Sequence, residues 1–243
     1  MIREKIIFKD KKLEVPPFPI ITYIEGDGVG FHMWKATKNV IDTAIEIAYG
    51  GERKIFWKQV YAGEKAFLKK GEWLPTKTLA NIREHLVAFK GTLITPEDGG
   101  IRSLNVSLRQ ELDLFAWVRP VKYYEGVNPN SDYTLDAVAA LVGAIRISPG
   151  ANINYNTGVA IFEANHVTAP NYTGQDKVNP TSEILSGVMM LEYIGWFEAA
   201  NLIQKGIEGA LTEKTVIYGL ERLMDGETQL KCLQFGKAII NNM

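Results

Sequence analysis

Ser103, Asn105 and Arg109, with Arg119 farther on, bring hydroxyl and amide groups and two guanidinium forks to where they can converge on one multi-anionic ligand. Arginine read bidentately is the natural partner of a carboxylate. Ser103 can cap a helix in which Leu104, Leu108 and Leu112 share one face, while Asn105, Arg109 and Asp113 follow at i, i+4 spacing beside it. A capped amphipathic helix with a solvated arginine produces the same pattern, so spacing alone leaves both readings open. Asp132 and Asp136 stand four apart at the start of another predicted helix and put two carboxylates on one face, as a divalent oxygen-ligand site requires. Acidic residues that complement a helix dipole read identically. Glu25-Gly-Asp-Gly-Val-Gly30 follows a strand and opens a helix, where glycines let backbone N–H groups approach an anion or simply make a turn. His32 and His85 have no evident partners and read as surface or satisfied polar residues, and Trp34, Trp57, Trp73, Trp117 and Trp196 as packing.

These groups need a scaffold. Ile20–Ile24 is a β-prone run closed by glycines, and Ile41, Ala44, Ile45 and Ala48 recur at helical spacing until Gly50-Gly51 stops them. Arg53–Val60 predicts a strand, Thr76–Leu86 a helix with a charged face, and Leu86–Lys90 a third strand. Phe115–Val121 reads as a strand whose Pro120 suits an edge or an exit. Beyond it, 135–145 reads as helix, Gly158–Phe162 as strand, Thr181–Ile194 and Glu198–Leu211 as helices, and Thr215–Tyr218 as β-like. This alternation predicts an α/β fold with a twisted mixed sheet flanked by helices.

The 243 residues are 46% hydrophobic and carry 27 basic against 28 acidic side chains, a net charge of −1, so no field recruits nucleic acid or an anionic membrane. The lone Cys232 cannot pair internally, and no apolar run reaches membrane-spanning length. A cytoplasmic protein is expected.

Three stretches together carry a family resemblance: Gly26-Asp-Gly-Val-Gly30, Ser103-Leu-Asn-Val-Ser-Leu-Arg109, and the run from His166-Val-Thr-Ala-Pro to Val178-Asn-Pro180. The chain resembles the NADP-dependent isocitrate dehydrogenases of the isocitrate/isopropylmalate dehydrogenase superfamily, specifically their large domain. The resemblance implies that Ser103, Asn105, Arg109 and Arg119 bind isocitrate, and that Thr95 lies on the cofactor and substrate side. It further implies that His166, Thr168, Ala169, Tyr172, Val178 and Asn179 surround the adenosine of NADP, that Tyr218 and Arg222 read its 2′-phosphate, and that Asp132 and Asp136 hold magnesium or manganese. The glycine turn would lie near the cofactor's pyrophosphate.

The departures are as informative as the matches. Glu97-Asp98 replaces an apolar and glycine pair and adds negative charge beside a tricarboxylate site. Val167 stands where the family has glycine, and Asn171 where it has a lysine that neutralises the 2′-phosphate. The family's small domain and clasp should lie between Tyr124 and Asp132, yet only Glu125–Ser131 stands there. One domain, 1–243, built from two interleaved arms (1–124 and 132–243) joined at the short junction 125–131, is the expected organisation. The family's proton-handling tyrosine and its lysine with an aspartate belong to that missing part, so no catalytic residue is expected here, and the third metal aspartate has no counterpart. The resemblance thus predicts an impaired dehydrogenase, with a nucleotide- or metabolite-binding regulatory or decoy protein, or a gene remnant, as alternatives. With the dimer interface largely missing, a monomer or non-standard oligomer is expected.

Overall fold

The computed structural model describes residues 2–96, 102–120, 148–164, 172–217 and 228–243. Its centre is a six-stranded mixed sheet in the order β4-β3-β5-β8-β7-β6. β3 (Ile20–Ile24) lies parallel to β4 (Phe56–Gln59) on one side and to β5 (Val87–Lys90) on the other. β5 continues in parallel to β8 (Val159–Ala164), after which β7 (Pro149–Asn154) and β6 (Ala116–Val118) add on antiparallel. Strands from before and after the segment 121–147 therefore alternate within one sheet. Two small sheets flank it: the antiparallel pair β1 (Ile7–Lys9) and β2 (Lys12–Glu14), and the parallel pair β9 (Thr215–Ile217) and β10 (Thr228–Leu230). Asp10 and Lys11 both take positive φ (50° and 61°) in the β1–β2 turn, the conformation that two-residue hairpins favour.

Side-chain alternation along β5 and β8 builds two cores. Val87, Phe89, Ala160 and Phe162 point to one face, where they meet α1 (Gly30–Tyr49), α5 (Thr181–Tyr193), α6 (Phe197–Thr212) and α7 (Cys232–Asn241). Ala88, Val159 and Ile161 point to the other, against Leu79 and Ile82 of α3 (Thr76–His85) and Leu104 and Leu108 of α4 (Leu104–Glu111). Such period-two alternation inside strands that are buried throughout is what a sheet covered on both faces demands. The short α2 (Glu64–Lys70) completes the helices among the described residues.

The predicted β3, α1, α3, β5, α5, α6 and β9 all form, and β6 is an outer strand as Pro120 suggested. The predicted helix 135–145 lies outside the described residues. One expectation fails: Ser103 occupies the N-cap position of α4, but its side chain makes no capping bond. The Leu104 N–H donates instead to Thr95 Oγ1 at 3.2 Å, so the preceding loop rather than the adjacent serine satisfies that helix start.

Candidate functional site

Loops leaving the carboxyl ends of β3 and β5 depart to opposite faces of the sheet, β3 leading into α1 and β5 toward α4. Such a divergence opens the crevice in which open α/β sheets hold their ligands. Here the two loops pack backbone to backbone. Gly26 has φ +87°, and a Cβ on it would lie 2.7 Å from the Thr92 carbonyl oxygen; one on Gly30 would lie 2.6 Å from the Glu25 carbonyl oxygen. Gly26 is therefore required by the close approach of the Gly91-Thr92 backbone and Gly30 by the fold of the turn back on its own Glu25 carbonyl, which is the turn reading of the motif. Between them, buried Asp27 accepts hydrogen bonds from the backbone N–H groups of Glu64 (3.0 Å), Lys65 (3.2 Å) and Ile94 (2.9 Å), tying the start of α2 and the loop after β5 to the turn.

At the same edge, strand register sets Glu163 beside Lys90. Lys90 Nζ lies 2.9 Å from Glu163 Oε2 and donates to the Gly91 carbonyl at 3.0 Å, while Asn152 Nδ2 donates to Glu163 Oε1 at 2.8 Å. Burial pushes the Glu163 carboxyl up, but the Lys90 ammonium, the Asn152 amide and the more distant Arg109 override it and leave it below its ordinary value. Glu183, in the first turn of α5, has the opposite fate. It is fully buried, neither carboxylate oxygen has a hydrogen-bond partner among the described residues, and burial, opposed by Lys90 and reinforced by Glu25, pushes it up to about 8. Glu25 itself pairs with Lys65. Nothing in the sequence reading singled out Lys90, Asn152, Glu163 or Glu183. One signal was available: a lysine and a glutamate each stand at or near the end of an apolar β-prone run, where a charge entering the interior needs an opposite partner.

The predicted anion-binding set gathers around α4. Arg109 is half-buried and Arg119 exposed, and their guanidinium carbons lie 5.8 Å and 4.1 Å from the centre of the same indole ring, Trp117. Asn105, on the same helix, has a buried Oδ1 with no hydrogen-bond partner among the described residues, and Ser103 is half-buried at the helix start. The four residues thus lie on one helix and its N-cap and just past the end of the outer strand, with Thr95 joined to them through Leu104. Two guanidinium groups at one ring, with the Asn105 acceptor on the same helix as Arg109, suit a ligand that carries both carboxylates and a hydroxyl.

The second predicted set lies against the opposite core. Val178 is buried within that core, so a ligand there meets its backbone rather than its side chain. Asn179 Oδ1 accepts from the Thr181 N–H (2.9 Å) and hydroxyl (2.6 Å), committing its carbonyl oxygen to the start of α5. The Tyr172 ring is half open to solvent. Asp176 pins this loop: its carbonyl accepts from Cys232 N–H at 2.9 Å, one carboxylate oxygen accepts from Leu233 N–H at 3.2 Å, and His32 Nδ1 stands 3.6 Å from that oxygen. His85 is buried, with Nδ1 2.8 Å from the Asn81 carbonyl oxygen. Burial pushes the Cys232 thiol up, which leaves it no nucleophilic role. The packing role read for the tryptophans fits Trp34 and Trp196, which are buried, and fails for Trp117, which is 58% exposed. Asp132, Asp136, His166, Thr168, Ala169, Tyr218 and Arg222 lie outside the described residues.

The family model for isocitrate/isopropylmalate dehydrogenase matches residues 20–134 and 126–239, two matches that overlap at the segment read as a junction. An NADP isocitrate dehydrogenase of Staphylococcus epidermidis is 32% identical over 421 aligned positions spanning 100% of both chains, and one of Coxiella burnetii is 33% identical over 407 positions spanning 99% of this chain and 95% of that one. Because this chain has only 243 residues, a large block of each relative faces no residue here. The crystal structure of isocitrate dehydrogenase from Methylococcus capsulatus superposes with a TM-score of 0.79 at 23% identity, over 92% of this chain and 99% of that one, a likeness of fold. With the family's model matched across most of its length, this chain belongs to the isocitrate/isopropylmalate dehydrogenase family.

Proposed function

We propose that this chain is the large domain of an NADP-dependent isocitrate dehydrogenase with its two arms, 1–124 and 132–243, rejoined, and that it binds the family's ligands weakly without turning isocitrate over. One observation carries the reading: the chain aligns to full-length relatives over 421 positions with 243 residues, and its two family matches meet at 126–134. When bound, NADP accepts a hydride and magnesium or manganese polarises the substrate oxygens. What remains for this chain is recognition. Arg109 and Arg119 hold carboxylates, Asn105 offers its unpartnered oxygen to a hydroxyl, and the Asp176-pinned loop holds Tyr172 where a planar base can meet its exposed ring. Among the described residues no three His, Cys, Asp or Glu side chains gather as metal ligands, so a divalent ion would depend on Asp132 and Asp136.

Proton handling is what the reading withholds. Positioned acid–base groups contribute about 10²–10⁴ in rate, and an open cleft forfeits substrate positioning and water exclusion as well. Titration calorimetry with NADP, NAD and isocitrate in magnesium, run beside a spectrophotometric NADPH assay, tests this. Binding without turnover is expected. Magnesium-dependent NADPH production that disappears in Asp136→Asn would restore the plain enzyme, and failure to bind any of the three would favour a gene remnant. Sedimentation is expected to show a monomer, or a dimer through a face other than the family's.

A further inference from the structure

We propose that Trp117 is a positioning residue for the anion site, an indole platform that holds the Arg109 and Arg119 guanidinium groups at the spacing a polycarboxylate needs. This rests on reading those two arginines as ligand-binding. The geometry starts from strand alternation: Ala116 and Val118 of β6 pack toward the core that holds α1 and α5, so Trp117 projects to the opposite face, where α4 lies. Arg119 follows two residues later on that same side, and Arg109 reaches the ring from α4. The ring is therefore a group that both guanidinium ions approach, at 5.8 Å and 4.1 Å from its centre. Two like charges repel and, left alone, fan apart into water; the electron-rich ring attracts both and offsets that repulsion. Stacking engages the flat face of a guanidinium rather than its N–H edge, so one arginine can lie against an indole and hold a carboxylate at once. With most of the indole in solvent, hydrophobic burial explains little of its presence.

Trp117→Leu removes the π-face and keeps an apolar side chain, and Trp117→Phe keeps a smaller π-face. In calorimetric titrations of the full chain with isocitrate, and with citrate as a second tricarboxylate probe, Trp117→Leu is expected to weaken binding about tenfold and Trp117→Phe no more than about threefold. A second readout needs no ligand: the emission assigned to Trp117, taken as wild type minus Trp117→Phe, is expected to shift when Arg119→Gln is introduced into both. Far-UV circular dichroism checks that each variant folds. Wild-type binding that Trp117→Leu leaves unchanged, or equal losses from Leu and Phe, overturns the role of Trp117 alone, as does an emission indifferent to Arg119. Absence of wild-type binding to either acid overturns the reading of the arginines and the platform with it.

Discussion

Replacing Glu183 with glutamine should flatten the pH dependence of this protein's stability. The carboxyl sits in the first turn of α5, where the helix dipole favours its ionised form, yet it is fully buried with no hydrogen-bond partner among the described residues, and burial wins. Its ordinary value of 4.5 rises to about 8 in the fold. Between those values the folded chain holds a proton that the unfolded chain has released, so stability falls as pH rises from 4.5 to 8 and changes no further above that window. The gap of about 3.5 pH units, at about 1.36 kcal/mol each, sets a ceiling near ~5 kcal/mol, of which ~3.4 is already lost by pH 7. Relaxation around the ionised group lowers this, and a measured loss of roughly 2–5 kcal/mol is expected. Glu163, held below its ordinary value, acts in the opposite sense, its contribution present above about pH 4.5 and lost only as pH falls below it. His85, which burial holds below its ordinary value, likewise costs stability as pH falls through its unfolded value near 6.5. Both cancel when Glu183→Gln is compared with wild type at each pH. Urea denaturation followed by circular dichroism at pH 5, 6, 7 and 8 should show near-equal midpoints at pH 5 and a widening advantage for the variant by pH 8. Parallel curves across that range would refute the argument.

Lys90→Met should cost about 3–5 kcal/mol by leaving Glu163 as a buried unpaired charge, with Lys90→Met/Glu163→Leu recovering much of it; equal losses in the single and double variants, measured by urea midpoint at pH 5.5, would count against the pairing. Gly63→Ala should destabilise by about 3 kcal/mol or more, since φ at Gly63 is +77° and the new Cβ would lie 2.0 Å from Asp27 Oδ2, displacing a carboxylate whose two oxygens together accept from three backbone N–H groups. A melting temperature unchanged from wild type would show that the turn can shift freely. Asn171→Lys, by adding a charge-assisted partner for the 2′-phosphate, should tighten NADP about tenfold with NAD unaffected, and calorimetry giving equal gains for both cofactors would remove Asn171 from the specificity argument.

What the sequence made legible was decided by local chemistry. Ile20–Ile24 reads as a strand because β-branched residues run up to a glycine, and α1 reads as a helix because its apolar stripe persists until Gly50 takes the left-handed conformation that closes it. β7 escaped because Pro149-Gly-Ala-Asn-Ile-Asn154 is poor in strand formers. Tertiary contacts make that strand: Asn152 partners Glu163, Asn154 Nδ2 donates to the Asp113 carbonyl at 2.9 Å, and neighbours on both sides bury it. The candidate motif Ser103–Arg109 is contiguous and so can be read along the chain, whereas Lys90, Asn152, Glu163 and Glu183 come from four separate elements and become a cluster only through strand register and helix docking. Trp117 departs from its expected packing role because sequence shows that a residue is large and apolar but not which neighbours reach it.

The strand order has a consequence for how the chain is made. During synthesis β6 leaves the ribosome before β7 and β8, yet its only ladder partner among the described residues is β7, and the open flank of β5 waits for β8. The first 120 residues can assemble β4-β3-β5 but must hold β6 unpaired, with the core-facing side chains of Ala116 and Val118 uncovered, until the chain has grown past residue 164 and both missing strands slot between the earlier ones. Closure of the sheet is a long-range event with a high loop-closure cost, so folding is paced by translation of the second arm and the nascent chain is exposed to strand-edge aggregation in the interval.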